Sequence, residues 1–288
     1  MTTQTQSHMS THAAEQKPIL VLGGTGKTGR RVAARLAARG LPVRIGSRSA
    51  QPPFDWSNPA TWAPSLDGVG AVYVSYYPDV AAPGGVEAVS AFANVAVANG
   101  VRRLVLLSGR GEPEAEEAEA AVQASGAELT ILRATWFAQN FSEGFMLEPV
   151  QQGVIALPAG DTPEPFVDLD DIADVAVAAL TEDGHVGQLY ELTGPRLLTF
   201  ADVAQEIAQV TGREMRYGPI SIEEYATAAT QQGLPGEVVE LLRYLFGVVL
   251  DGRNARVSDG VQRALGRAPR DFRDYARTAA ASGIWAAA

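Results

Sequence analysis

A glycine-rich segment near the start of the chain carries the clearest chemical signal. It reads Gly23-Gly24-Thr25-Gly26-Lys27-Thr28-Gly29 and directly follows the apolar run 18–22. Apolar residues then recur at helical spacing up to Gly40, so the segment joins a predicted strand to a predicted helix. In that setting one glycine permits a tight turn, another lets a pyrophosphate approach, and a third lets the helix pack closely. The predicted ligands of a dinucleotide are Gly23, Thr25, Gly26, Lys27, Thr28 and Gly29.

The residues after the second predicted strand indicate which dinucleotide fits. A site for NAD usually places an acidic residue about 20 positions after the glycines, where it binds the ribose 2′-hydroxyl. No acidic residue occurs in positions 16–54, and Ser47 and Arg48 stand at that place instead. The planar guanidinium of Arg48 suits a 2′-phosphate, and Lys27 or Arg30 could add positive charge. We therefore expect NADPH as the cofactor.

Further cofactor candidates also have a structural interpretation. Arg48 could instead be a solvated surface arginine. Asp55 could contact the adenine amino group, or residues 55–57 could form an Asx turn. Ser75 and Ser108 end the third and fourth predicted strands, at the sheet edge where the cofactor should lie. We assign Asp55, Ser75 and Ser108 to the cofactor site and leave the alternatives open.

The scarcity of lysine, histidine and cysteine excludes several mechanisms. The only lysines are Lys17 and Lys27, so no Tyr-x-x-x-Lys can be written, and the tyrosine-lysine proton relay of many dehydrogenases is excluded. Cysteine is absent, and His185 is the only histidine outside the N-terminal tail, which argues against a metal site or a Ser-His-Asp triad. The acidic residues in 168–171 are expected to cap a helix and not to bind a metal.

Composition narrows the class of partner. The chain of 288 residues has 33 acidic and 23 basic side chains, and its formal net charge of -10 opposes a broad nucleic-acid surface. No apolar run is long enough to predict a membrane span. We expect a cytoplasmic monomer or homodimer whose partner is a small-molecule substrate. Residues 1–16 are expected to form a disordered tail.

The order of the apolar segments predicts the elements that position these residues. Short β-rich runs alternate with helical segments, at 18–22, 42–46, 71–75, 103–107, 129–132 and 188–192. This alternation predicts an α/β fold with a doubly wound parallel sheet, the Rossmann fold, over 17–194. Beyond it, over 195–288, we predict a smaller, mainly helical cap with helices at 200–211, 222–232, 237–245 and 271–281. Residues 137–165 are expected to contribute to the cleft between the two parts.

Side chains near the strand ends are candidates for the substrate side of that cleft. The ring faces could bind a cationic group, or the rings could form an interdomain core. The predicted substrate contacts are Tyr76, Tyr77, Trp136, Phe137, Asn140 and Phe141. Ser108 and Trp136 are the two catalytic candidates, although Ser108 could merely satisfy a turn. The amides of Gln139 and Asn140 could bond the nicotinamide carboxamide or a backbone turn, and the acidic run 112–119 is expected to be a solvated helix face.

Five longer motifs extend the pattern along nearly the whole chain from Pro18. They read GGTGKTGRRVA, LVLLSGRGE, LTILRATWFAQNFSE, FVDLDDIADVA and YELTGPRLLTFADVA. Together they resemble the NmrA-like atypical short-chain dehydrogenase/reductases. Within that group, FDW, WFAQNFSE, LDGRNA and ALGRAPRDF are most similar to the ergot alkaloid biosynthesis reductases, of the festuclavine synthase and agroclavine dehydrogenase type, and their bacterial relatives.

The resemblance implies NADPH-dependent reduction, in the fungal members of an iminium C=N bond. Such a reaction is compatible with the missing relay, because hydride addition to an iminium gives a neutral amine and needs no acid. Quinone and triphenylmethane reductases of the same group also lack the relay and imply a different acceptor. In the quinone reductases a polar residue lies near the site at the place of Glu119. NmrA itself implies a third function, a redox-sensing regulator that binds the dinucleotide without turnover.

Overall fold

The central feature of the fold is a six-stranded parallel sheet. The computed structural model describes residues 16–286, so the predicted tail lies outside the described residues except for Gln16. The strands of the sheet are β1 Ile19–Leu22, β2 Val43–Gly46, β3 Ala71–Val74, β4 Arg103–Gly109, β5 Glu128–Ala134 and, after a short strand outside it, β7 Leu189–Leu192. They lie in the order β2-β1-β3-β4-β5-β7. The predicted Rossmann fold is confirmed.

Helices cover both faces of the sheet, as strands buried on both faces require. The helices of the first half are α1 Lys27–Ala38, α2 Trp62–Leu66, α3 Gly85–Ala98 and α4 Pro113–Ala124, and α7 Leu169–Thr181 follows later. On β1, Leu20 packs among the residues of α3 and α4, whereas Val21 packs among those of α1 and α7. This alternation fixes which side chains of each strand reach which layer.

The chain reverses direction across the sheet at β1. From β1 it passes first to the neighbour on one side, β2, and then to the neighbour on the other, β3. A crevice opens at the carboxyl ends of two strands where the strand order reverses in this way. The glycine segment follows β1 and Ser75 follows β3, so both lie at the crevice.

The C-terminal part is mainly helical but not purely so. Its helices are α8 Phe200–Thr211, α9 Ile222–Gln231, α10 Gly236–Tyr244, α11 Gly260–Leu265 and α12 Phe272–Ala281, and the preceding segment carries α5 Asn140–Glu143 and α6 Leu147–Gln152. A second sheet pairs β6 Val154–Leu157 with β8 Arg216–Pro219 in parallel. The predicted cap lacked β8, because its Arg-Tyr-Gly-Pro sequence is partly exposed and shows no alternation of apolar and polar residues.

Local signals explain why the long cap helices begin where the sequence predicted. At α8 the Thr199 hydroxyl accepts a hydrogen bond from the Asp202 N–H, and the Asp202 carboxylate accepts one from the Thr199 N–H, at 3.1 and 2.9 Å. Gly212 then ends the helix at a φ of +67°. The same reciprocal cap, between Ser221 and Glu224, begins α9.

The packing crosses the boundary that we predicted at residue 195. The aromatic core of the cap takes Trp136 and Phe166 from before that boundary and Phe200 and Phe272 from after it. Conversely, Val261 of α11 packs into the sheet layer of α7. In the part of the chain from 16 to 286, no helix is both long and apolar enough to cross a membrane.

Candidate cofactor and substrate site

The glycine segment forms a tight turn that only glycines can build. Gly23 has a φ of +62°, and its carbonyl oxygen accepts a hydrogen bond from the Gly26 N–H at 2.8 Å. A Cβ on Gly29 would lie 2.2 Å from that same carbonyl oxygen, so a larger residue would push α1 off the turn. The first turn of α1 carries no acidic residue and no side-chain cap. Its N–H groups and the positive end of the helix dipole therefore suit a pyrophosphate.

A cleft of about 590 Å³ opens beside this turn. Its walls come from the carboxyl ends of β1, β3, β4 and β5 and from α10. The structure brings these predicted residues together in its lining: Gly23, Gly26, Lys27, Thr28, Ser75, Tyr76, Tyr77, Ser108, Trp136, Phe137 and Asn140. The predicted residues outside the lining are Thr25, Gly29, Ser47, Arg48, Asp55 and Phe141.

The segment after β2 lies next to the glycine turn. Because Gly46 pairs with Leu22, Ser47 and Gly23 leave the sheet side by side. The Arg48 side chain that follows is exposed. Hydrogen bonds from Ser57, with a smaller contribution from the positive charge of Arg48, hold the pKa of Asp55 below its usual value.

Asp55 is engaged in the Asx turn that was its alternative interpretation. Its Oδ1 accepts hydrogen bonds from the Ser57 N–H at 2.9 Å and from the Ser57 hydroxyl at 2.8 Å. These bonds fix Oδ1 within its own loop. A contact between Asp55 and adenine stays a prediction.

Lys27 connects the glycine helix to the segment that follows β5. Its ammonium group donates to Asn140 Oδ1 at 2.9 Å, and burial lowers its pKa. Glu143 binds both Arg30 and Arg31. A carboxylate therefore already pairs with the guanidinium of Arg30, and a contribution of Lys27 or Arg30 to the phosphate site stays a prediction.

Ser108 lines the cleft, but its proton points away from it. The buried hydroxyl donates to Glu119 Oε1 at 2.5 Å, and Arg133 Nε donates to the same oxygen at 3.0 Å. This arrangement argues against Ser108 as a proton donor, although its lone pairs remain available. It also corrects the expectation of a solvated face over 112–119, because Glu112 and Glu119 are 6% and 4% exposed. The pattern of apolar residues in the sequence does not show that these two carboxyl groups, one just before α4 and one within it, point inward.

Aromatic and aliphatic side chains form the opposite wall. Tyr77 is 76% exposed at the mouth, and Trp136 lines the cleft while its ring packs on Phe246 at 5.0 Å between ring centroids. Leu241 of α10 adds an aliphatic surface. The wall is therefore mainly apolar and fits a flat organic molecule.

Two predicted substrate-side residues have structural roles instead. Phe141 is completely buried and packs on Phe166 and Phe272 with 5.7 Å between ring centroids in each pair. It has no surface for a substrate, so the prediction that it binds one is wrong. Gln139, whose role was left open, donates to Asp168 and accepts from the Leu169 N–H, which fixes the start of α7.

The acidic segment and the histidine also have structural partners. Asp168 accepts a hydrogen bond from the Asp170 N–H at 2.8 Å and caps α7, and Asp171 pairs with Arg270. His185 Nδ1 lies 2.9 Å from the Tyr190 hydroxyl in a buried position. Over residues 16–286, no group of three or more His, Cys, Asp or Glu side chains is arranged to hold a metal ion.

Sequence reasoning missed two carboxyl groups in the lining, those of Asp79 and Glu112. They follow β3 and β4, so the rule that found Ser75 and Ser108 would have found them too. Sequence reasoning also missed a reciprocal pair of hydrogen bonds. The Asn254 side-chain amide donates to the Arg110 carbonyl oxygen at 2.9 Å, and the Arg110 guanidinium donates to the Asn254 carbonyl oxygen at 3.1 Å. These two bonds connect the loop after β4 to the C-terminal part.

The parallel sheet, the glycine turn and the cleft at the strand reversal define a dinucleotide-binding protein of the Rossmann type. The chain belongs to the NAD(P)H-binding family, whose model matches residues 23–183. The predicted resemblance is confirmed by this family and by the relatives described below. NmrA, a negative transcriptional regulator, shares the fold: its structure superposes with a TM-score of 0.66 at 17% identity, covering 91% of this chain and 95% of that one.

Two relatives align over most of their own length and of this chain. Agroclavine dehydrogenase of Claviceps fusiformis is 31% identical, covering 89% of this chain and 95% of the relative. NAD(P)H azoreductase of Xenophilus azovorans is also 31% identical, covering 92% and 98%. Triphenylmethane reductase of Citrobacter sp., solved with NADP(H), superposes with a TM-score of 0.72 at 22% identity, covering 91% and 99%. The predicted class, an NAD(P)H-dependent oxidoreductase, is confirmed.

Proposed function

We propose that the protein is an NADPH-dependent reductase of a small, largely aromatic acceptor. The observation that carries this proposal is that one cleft is lined both by the glycine turn and by an apolar wall. The first turn of α1 would hold the pyrophosphate, and the nicotinamide would then lie toward the ends of β3, β4 and β5. The bound cofactor supplies a hydride. The protein supplies position, since the two reactants share one confined space.

The walls of the cleft support an acceptor with an aromatic or cationic group. Trp136, Phe137 and Tyr77 present rings, and Leu241 faces them from α10. These side chains would exclude water from the reacting atoms and attract positive charge to their ring faces. The relative named NAD(P)H azoreductase favours an acceptor with an N=N bond, and the resemblance to the ergot alkaloid reductases implies one with a C=N bond. The most specific form of this proposal has an iminium as the acceptor, and the alternative acceptor is a quinone or a triphenylmethane dye.

The test is NADPH oxidation with a panel of acceptors, namely a preformed iminium, a quinone, an azo dye and a triphenylmethane dye. We expect saturable oxidation of NADPH with at least one of them. The rival function is a sensor that binds the dinucleotide without turnover, which the fold of NmrA favours. Tight binding of NADP⁺ with no oxidation across the panel would contradict the proposal and support the sensor.

Arg48→Ala tests the preference for NADPH. The exposed guanidinium follows β2 beside the glycine turn, so it is placed to bind a 2′-phosphate that NADH lacks. We expect roughly 10- to 100-fold weaker binding of NADPH, the size of one charge-assisted contact, and little change for NADH. Titration of intrinsic fluorescence with each cofactor measures this. Arg102→Ala, an exposed arginine just before β4, is the control. An equal loss for both cofactors would contradict the assignment.

Leu241→Trp tests the position of the acceptor. Leu241 lines the cleft from α10, and the glycine turn belongs to a different element of the lining, so a larger ring at Leu241 would fill the acceptor space. We expect kcat/KM for the acceptor to fall at least roughly tenfold, while the dissociation constant of NADPH stays within about twofold. Val248→Trp, at an exposed position outside the lining, is the matched control. Weaker NADPH binding with unchanged acceptor kinetics would place the acceptor elsewhere.

A further inference from the structure

Two carboxyl groups from different loops meet in the cleft. Asp79 lies five residues beyond the end of β3, and Glu112 lies three residues beyond the end of β4. Both line the cleft, and their carboxyl groups lie so close together that each shifts the pKa of the other. Two ionised carboxylates so close together would repel each other, so the contact is stable only if the pair holds a proton.

The surroundings place the proton on Glu112. One oxygen of Asp79 accepts the Ala81 N–H at 2.9 Å, which offsets part of the rise that burial causes in the pKa of Asp79. Glu112 is 6% exposed, and its Oε2 has no hydrogen-bond partner among the described residues. Burial and the neighbouring charge of Asp79 raise the pKa of Glu112 to about 9. A Cβ on Gly109 would lie 2.2 Å from Glu112 Oε1, so the glycine makes room for this carboxyl group.

The nearby charged groups leave the proton in place. Glu114, on the same helix, adds negative charge and accepts a hydrogen bond from the Tyr244 hydroxyl at 2.6 Å. Arg110 is engaged with Glu191 and with carbonyl oxygens of the C-terminal part. Arg253 pairs with Asp251 at 2.8 Å and donates to the Gly111 carbonyl oxygen. Each of these arginines is therefore committed elsewhere, and neither neutralises the pair.

We propose that Glu112 donates the proton that completes reduction of a neutral, quinone-type acceptor, with Asp79 holding that proton in place. This inference rests on the proposed reductase function. Hydride from the nicotinamide reaches one quinone oxygen, the ring accepts the two electrons, and negative charge develops on the other quinone oxygen. A new O–H bond forms at that second oxygen as the O–H bond of Glu112 breaks. The products are the hydroquinone and NADP⁺. The partly exposed Asp79 then lets the pair take up a proton from water.

A comparison of two acceptors tests the role of Glu112. A neutral quinone such as menadione needs the proton, whereas a preformed N-alkyl iminium needs only hydride. For Glu112→Gln we expect kcat with menadione to fall about 100-fold or more, with no comparable fall for the iminium. The wild-type rate with menadione should fall as pH rises through the pKa of the pair and should be slowed in D₂O. Glu117→Gln, an exposed carboxyl on α4, is the control.

Three results for Glu112→Gln would overturn the proposal: an equal fall of kcat with both acceptors, an unchanged kcat with menadione, or a pH profile identical to that of the wild type.

An infrared measurement adds a readout independent of turnover. At about pH 8 the carbonyl band of a protonated carboxyl group should appear in the wild type and be lost in Glu112→Gln. A band that persists in the variant would assign the proton to another group. If the wild type fails to oxidise NADPH with every acceptor in the panel, the proposed function itself fails.

Discussion

Replacing Gly29 with alanine is expected to abolish useful cofactor binding. The added Cβ would lie 2.2 Å from the Gly23 carbonyl oxygen, and that atom is backbone, so neither side can move without displacing α1 from the turn. The pyrophosphate would lose both the turn and the first N–H groups of the helix. We expect NADPH to bind at least roughly 100-fold more weakly, equivalent to about 2.7 kcal/mol.

The measurement for Gly29→Ala has two parts. Titration with NADPH gives the affinity, and thermal unfolding without cofactor reports the damage to the fold. Gly236→Ala is the matched control, because a Cβ at that position, in the first turn of α10, meets no atom within 4 Å. If Gly29→Ala binds NADPH as tightly as the wild type, the glycine turn is not the pyrophosphate site.

The second large effect concerns stability and Glu164. This side chain is fully buried beside the cleft; Thr135 donates to its Oε2 at 2.7 Å, and its Oε1 has no partner within the part of the chain that the structure describes. Burial raises its pKa to about 7 in the folded protein, from a usual value of 4.5. The folded state therefore binds the proton more tightly than the unfolded state does.

The sign of the pH dependence follows from that difference. Below the unfolded pKa both states are protonated and burial of Glu164 costs little. As pH rises from 4.5 through about 7, the unfolded state ionises first, so stability falls by about 3 kcal/mol and stays lower above that pH. Glu164→Gln removes the ionisation. We expect the variant to gain up to about 3 kcal/mol over the wild type at about pH 8 and nearly nothing at about pH 4.

Urea unfolding of wild type and variant at both pH values measures the difference. Other titrating groups, including Asp79 and Glu112, are present in both proteins and largely cancel in the comparison. Glu182→Gln, which removes an exposed carboxylate paired with Arg39, is the control. If the difference between Glu164→Gln and wild type is the same at both pH values, the pKa of Glu164 is not raised in the folded protein.

The parts of the fold that rest on local patterns were predicted well. The strand β1, the glycine turn and α1 follow one another within the chain, so their order is visible in the residues themselves. The capped helices α8 and α9 were placed within one residue of their observed ends for the same reason. Neither strand of the second sheet, β6 or β8, was predicted, because the two lie far apart along the chain and the residues of β8 carry no alternation.

The site was predicted less completely, since tertiary contacts decide which way a side chain points. Phe137 and Phe141 are both aromatic and close in sequence, yet Phe137 lines the cleft and Phe141 is buried in the cap core. Glu112 belongs to an acidic run that is typical of a solvated surface, and only the loop containing Asp79 shows why it is buried. The missing tyrosine-lysine relay led us to expect an acceptor that needs no acid. The carboxyl pair in the cleft adds the possibility of acid catalysis.

Isotope transfer from the cofactor tests the central claim most directly. NADPH labelled with deuterium on either face of C4 would be incubated with the protein and whichever acceptor the panel identifies, and the product analysed by mass spectrometry. Direct hydride transfer in the cleft predicts one deuterium in the product from one labelled face and none from the other. Binding of NADPH without deuterium in any product, from either face, would contradict the assignment of this protein as a reductase.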